Sequence, residues 1–393
     1  PIFNQINESE NSRLLLIISL NLILITGSLN GWFNSVIQGQ NRVGLSNLIN
    51  YLSKLSYQLF PVLLMVYGFK LLSFSTAYFF TNILILITYL CILRKFILEI
   101  FKKFTINFES LKKNFFFSFK MFIGGISYYI LNFTDTLIIA NYLSPHYVTI
   151  YVLTIKTSQI LKFITPKLLS STFPTINQLI YEENFSRLNE LTIKFYKLSL
   201  RCGILFFILI IFFNKAFVHI WVGEKMYGGY FITICAAIIC FKESLFVVFS
   251  NIIFATKDIK YINYILFIEA LLNLILSIVL VDKYGINGVI ISTVLTSCIF
   301  SLTYSILKTC DLIKLDIYRL ISPTIVTILK SLPSIICLLI SNVYFNYEEN
   351  IFALLTSVTL CLFINFMMFE AIIIFKNRKL NWKNIVNKII YEL

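Results

Sequence analysis

Lys156 and Lys162 lie in YVTIYVLTIKTSQILKF, a stretch from Tyr147 to Phe163 apolar enough to enter a bilayer. A lysine at the bilayer centre costs roughly 2.5 to 3.5 kcal/mol on insertion scales, so its side chain is expected to face a bundle interior or a watery cavity. On one continuous helix, Thr149, Lys156, Gln159, Lys167 and Ser170 fall within about 80° of one another, which predicts a polar stripe. Lys54 and Lys242 sit at a similar depth in two other apolar runs. Ammonium groups so placed can compensate phosphate or acidic-sugar charge while a substrate leaves water. The chemistry expected of Lys54, Lys156, Lys162 and Lys242 is therefore anion binding, without a catalytic residue.

The intramembrane acids are Asp135, Glu243, Glu269 and Glu370. Asp135 shares a helical face with Asn132, Tyr128 and Gly125, and Glu269 shares one with Asn273 and Ser277. Asp135 and Glu269 are the candidates for taking up a coupling proton or sodium ion, and no other cofactor is expected. Lys242 and Glu243 are adjacent and point about 100° apart, so they need not pair with each other. A competing structural role for Lys54, Lys156 and Lys242 is an ion pair with Asp135, Glu243 or Glu269 that fixes helix packing. Arg13, Lys120 and Lys167, near the ends of apolar runs, read as interfacial anchors. The two histidines, His146 and His219, lie in short connections without ligand-like companions. The eight cysteines form no CxxC pair, so neither a metal site nor a disulfide framework is expected.

The elements that must position these residues follow from composition. Hydrophobic residues make up 58% of the 393 positions and charged residues 13%, with mean hydropathy +0.83. Apolar runs long enough to cross a hydrocarbon core of about 30 Å, which takes roughly 20 helical residues, recur throughout. Eleven are expected, at about 13–37, 45–67, 71–93, 116–140, 147–173, 192–214, 229–254, 261–281, 287–307, 321–343 and 351–375. They are continuous and about twice the length of the alternating strands of a membrane barrel. The fold class is therefore all-α, a polytopic membrane helix bundle.

The formal charge of +14 reports orientation. Alternate connections between the spans hold 21 lysines and arginines on one side against 4 on the other. The positive-inside rule makes the first set, and with it the carboxyl terminus, cytoplasmic. That distribution excludes a nucleic-acid partner as the reason for the charge. The basic stretch from Arg94 to Lys120 reads as an amphipathic linker on the inner surface. It suggests a first lobe at 1–94, a linker at 95–115, a second lobe of six spans at 116–308, and two final spans with a basic tail at 309–393. Two weak internal echoes pair Val36–Asn47 with Ile252–Asn263 and Tyr67 with Tyr284. They make the first three spans correspond to the fourth to sixth of the second lobe. The expectation is two pseudo-repeated lobes around an inter-lobe cavity, with the first lobe truncated by three helices.

Four segments carry a resemblance: NFTDTLIIANYLSPHYVTIYVLTIKTSQI from Asn132, FPTINQLIYEENFSRLNELTIKFYKLSL from Phe173, WVGEKMYGG from Trp221 and YGINGVIISTVLTS from Tyr284. In order and spacing the chain resembles the bacterial polysaccharide-export proteins that flip lipid-linked O-antigen repeat units. These belong to the multidrug, oligosaccharidyl-lipid and polysaccharide exporter superfamily. The resemblance implies a multi-pass inner-membrane flippase that moves undecaprenyl-pyrophosphate-linked oligosaccharide to the periplasmic leaflet by alternating access. It also implies an ion gradient as the energy source, the bilayer as a partner, and contact with polysaccharide polymerase machinery. Asn132, Asp135, Tyr151 and Pro174 fall at family-typical positions near the cavity and its hinge. The alternatives are a peptidoglycan-precursor flippase, a drug/cation antiporter of the same superfamily, or a membrane-embedded glycan polymerase or ligase. The antiporter is expected to prefer acidic and aromatic cavity walls. The enzyme is expected to display a sizeable outer loop, whereas every outer connection here has about fifteen residues or fewer.

Overall fold

The computed structural model describes residues 10–40, 42–68, 72–102, 108–170, 172–256, 259–344 and 351–376. Among them there is no strand. A continuous apolar segment can bury its backbone in hydrocarbon only by pairing each N–H within itself, and the helix does so. Among the described residues, seven helices are long and apolar enough to cross a membrane, against the eleven spans expected: Ser73–Arg94, Leu111–Tyr142, Phe185–Val222, Tyr230–Ala255, Tyr261–Tyr284, Ile286–Ile313 and Tyr318–Ile340. The chain is thus a multi-pass membrane protein in its helical content.

The chain divides into two compact units, Pro1–Leu111 and Lys112–Leu393. The first contains α1 (Glu10–Gly39), α2 (Val43–Val66) and α3 (Leu72–Lys102). Its core gathers Phe33, Ile37, Ile49, Tyr89 and Leu93. A polar knot joins the same helices. Asn30 Nδ2 donates to the Asn82 carbonyl at 2.9 Å, and Tyr57 Oη donates to Asn82 Oδ1 at 3.1 Å. Such interhelical hydrogen bonds hold membrane helices together where no hydrophobic driving force exists between them.

The second unit contains most of α4 (Phe108–Tyr142), then α5 (Pro145–Leu161), α6 (Ile164–Ser170), α7 (Phe173–Tyr181), α8 (Phe185–Val222), α9 (Tyr230–Ala255), α10 (Ile259–Tyr284), α11 (Ile286–Ser297), α12 (Thr303–Ile313), α13 (Tyr318–Tyr344) and α14 (Ile351–Lys376). A five-residue π-helical turn, Cys298–Leu302, links α11 to α12. One expected span is corrected. The run at 147–173 is not one helix, because α5 stops at Leu161 and α6 begins at Ile164. Pro166 has no N–H to give to the Lys162 carbonyl, and its ring crowds that carbonyl, so the helix breaks one turn before it. Lys167 and Ser170 therefore do not continue the face of Thr149 and Lys156.

Two features fix the helices that surround the break. Asn214, fully buried on α8, donates through Nδ2 to the Thr154 carbonyl of α5 at 2.9 Å and to Thr233 Oγ1 of α9 at 3.1 Å. The Gly228 N–H donates to Thr154 Oγ1 at 2.8 Å. At the α10–α11 turn, Gly285 has φ +58, and Gly288 lies so close to α10 that an added Cβ would stand 2.6 Å from the Leu280 carbonyl carbon. The obstacle is backbone and cannot rotate away. Gly288→Ala is expected to destabilise the protein by about 2 kcal/mol or more, read as a lowered unfolding temperature in detergent.

Candidate functional site

The site is a cavity of about 270 Å³ in the second unit, walled by α4, α5, α9, α10 and α11. From α4 it takes Gly124, Tyr128, Leu131, Asn132 and Asp135, a spacing of four, three, one and three that forms a single helical stripe. The expected face of Asp135, Asn132 and Tyr128 is thus one wall, with Gly124 rather than Gly125 at its end. Gly124 leaves room for Asn263 of α10, whose Oδ1 would lie 2.7 Å from an added Cβ. From α5 come Tyr151, Ile155, Ser158 and Gln159, and from the turn that follows it Lys162.

Asp135 is the most closely held of the acids. Its Oδ2 accepts hydrogen bonds from Tyr151 Oη at 2.9 Å and from Thr293 Oγ1 of α11 at 3.1 Å. Asn273 Nδ2 of α10 donates in turn to Thr293 Oγ1 at 2.9 Å. Asp135 Oδ1 is buried and accepts no hydrogen bond among the described residues. A carboxylate with one oxygen satisfied twice and the other open is suited to a proton or a small monovalent cation. Glu269 is tied differently. Its Oε2 accepts the Ser301 N–H of the π-helical turn at 3.0 Å, and the residue is 1% exposed. Asn273, expected beside Glu269, turns to Thr293 instead. The sequence reading did not single out Thr293, although it lies in the hydroxyl-rich STVLTS of an apolar run.

The lysines separate into distinct environments. Lys162 sits in the turn after α5, where its Nζ donates to Asn132 Oδ1 at 3.3 Å. Asn132 is oriented for this, because its Nδ2 donates to the Tyr128 carbonyl at 2.8 Å. Among the described residues no carboxylate lies within ion-pair distance of Lys162. Lys242 Nζ, by contrast, pairs with Glu243 Oε1 at 3.0 Å and stands 4.9 Å from the centre of the Phe246 ring. The backbone directions of the two residues left that pairing optional, and the long lysine stem makes it. Lys156 does not line this cavity. It is half-buried on α5 about 100° from Ile155, on the side of the exposed Thr149 and Ile160.

Lys54 belongs to the first unit, where it is exposed on α2. Gln159 lines the cavity, whereas Pro174 is exposed in the first turn of α7. The expected excess of lysine is absent from this wall. Lys162 and Lys242 face Asp135, Glu243 and Glu269, two ammonium groups against three carboxyl groups.

Residues 1–180 match the polysaccharide biosynthesis protein family. The match takes in Asn132, Asp135, Gln159 and Lys162 and ends before Lys242 and Glu269. Among solved structures, the chain is similar to the lipid II flippase MurJ in an inward closed conformation. The TM-score is 0.67 at 17% sequence identity, covering 93% of this chain and 76% of that one. At that identity the likeness is one of fold. No curated protein matches the chain. The resemblance to polysaccharide exporters read from the sequence is thus met by a polysaccharide biosynthesis family match and a flippase-like helical fold.

Proposed function

We propose that this protein is a flippase that carries a diphosphate-linked polyprenyl oligosaccharide from the cytoplasmic to the periplasmic leaflet of a bacterial inner membrane by alternating access. The observation that carries this reading is Lys162, an ammonium in the wall of a membrane cavity held by a neutral amide. An ammonium with no carboxylate at ion-pair distance among the described residues is available to a phosphate oxygen, and a charge-assisted hydrogen bond is among the stronger contacts a site can make. Asn132, Gln159 and Tyr128 beside it supply the neutral donors and the aromatic surface that a saccharide requires. The polyprenyl tail stays in the hydrocarbon throughout. Asp135 takes up the coupling proton or sodium ion, and the carboxyl terminus is cytoplasmic by the charge distribution. The polysaccharide biosynthesis match and the flippase fold support the class of substrate.

Within that class the substrate proposed is an undecaprenyl-pyrophosphate-linked O-antigen or related repeat unit, with the peptidoglycan precursor as the alternative. Three carboxyl groups in the cavity favour a second reading, a drug/cation antiporter on the same fold, because acidic walls attract cations. Depletion of the protein in its host separates the three. The expected result is loss of surface polysaccharide, with lipid-linked repeat units accumulating and wall synthesis intact. Arrested wall synthesis would assign the peptidoglycan precursor. Drug sensitivity with normal polysaccharide would assign the antiporter.

A further inference from the structure

Lys242 and Glu243 form an ion pair inside the cavity, yet the two partners differ in freedom. The Lys242 side chain is 5% exposed and lies against the Phe246 ring, whereas the Glu243 side chain is 34% exposed. The ammonium is fixed by packing, and the carboxylate is the member with room to leave. The other nearby acid does not share that freedom, because Glu269 is buried on the Ser301 N–H.

We propose that Glu243 is a displaceable internal counter-ion, which occupies the substrate's phosphate position on Lys242 while the cavity is empty and so competes with every anion that enters. The inference rests on the flippase reading above. A buried ammonium stripped of its partner is strongly destabilised, so Lys242 exchanges one anion for another rather than waiting bare. A monoanion gains little from the exchange, since it replaces a carboxylate that is already tethered beside the amine. A diphosphate gains more. It brings a second charged group to Lys162, which lines the same cavity, donates to the Asn132 amide and feels the Glu243 charge without an ion pair to it. Once displaced, the Glu243 carboxylate turns toward the aqueous part of the cavity. When the product leaves, the same carboxylate returns and helps to expel it. Glu243 therefore imposes the same displacement cost on every entering anion, and an anion that also holds Lys162 is the one that offsets it.

The test titrates inorganic pyrophosphate and inorganic phosphate into the purified full chain in lipid nanodiscs, with calorimetric readout. The wild type is expected to bind pyrophosphate more tightly than phosphate. Glu243→Gln keeps the shape and removes the charge, so both anions are expected to bind roughly tenfold more tightly, a change well within the range of one desolvated charge contact. Glu243→Ala is expected to do the same and serves if the glutamine variant does not fold. Glu243→Asp keeps the competitor and is expected to stay within about twofold of the wild type. Unchanged or weaker pyrophosphate binding in a folded Glu243→Gln or Glu243→Ala protein overturns the inference alone. So does an equal gain in Glu243→Asp. A wild type that binds no pyrophosphate overturns both the inference and the substrate reading beneath it.

Discussion

Replacing Lys162 by methionine is expected to cut translocation of a lipid-linked oligosaccharide about thirtyfold while leaving the amount of folded protein in the membrane unchanged. The magnitude follows from the loss of one charge-assisted hydrogen bond to phosphate, about 2 kcal/mol. Preservation of the fold follows from the lysine's partner. Asn132 Oδ1 is a neutral acceptor at 3.3 Å, so removing the amine leaves a half-buried amide and no stranded charge. The methionine stem has nearly the length of the lysine stem and keeps its apolar contacts. Lys242→Met provides the contrast, because it leaves Glu243 without its partner at 3.0 Å. That variant is expected to lose stability as well as transport. Quantifying membrane-inserted protein beside translocation in both variants separates the two effects.

The second large effect is expected at Asp135. Asp135→Asn retains an oxygen that can accept from Tyr151 Oη and Thr293 Oγ1, the two hydrogen bonds that hold this carboxylate between α4, α5 and α11. The fold is therefore expected to survive within about 1 kcal/mol. What disappears is the negative charge on an oxygen that no hydrogen bond satisfies. An imposed proton or sodium gradient is expected to accelerate translocation by the wild type. In Asp135→Asn the gradient-dependent part is expected to vanish, leaving the rate seen without a gradient. Rates measured in proteoliposomes with and without each gradient identify the ion as well as the residue.

The helical bundle was legible because long continuous apolar runs have only one way to bury their backbone. The wall made by Tyr128, Asn132 and Asp135 was legible for a related reason: residues on one helix share a face by periodicity alone. Beyond a single helix the sequence says less. Lys156 was grouped with Lys167 by carrying one helical phase through Pro166, a residue that breaks that phase. Lys242 and Glu243 pair although their Cβ directions diverge, since a four-carbon stem can return across such an angle. Thr293 reaches Asp135 across 158 positions of chain, a contact made by the packing of α11 against α4 and α5 and by no local pattern. The balance of charge in the cavity was missed for the same reason. Counting lysines along the chain does not reveal which of them share a wall.

The most direct measurement of the central claim is leaflet translocation of a fluorescent polyprenyl-diphosphate oligosaccharide in proteoliposomes holding only this protein, wild type beside Lys162→Met. The account predicts that the wild type moves the lipid between leaflets well above protein-free vesicles and that the variant falls about thirtyfold. Equal rates in the two proteins, or a wild type no faster than empty vesicles, would contradict it.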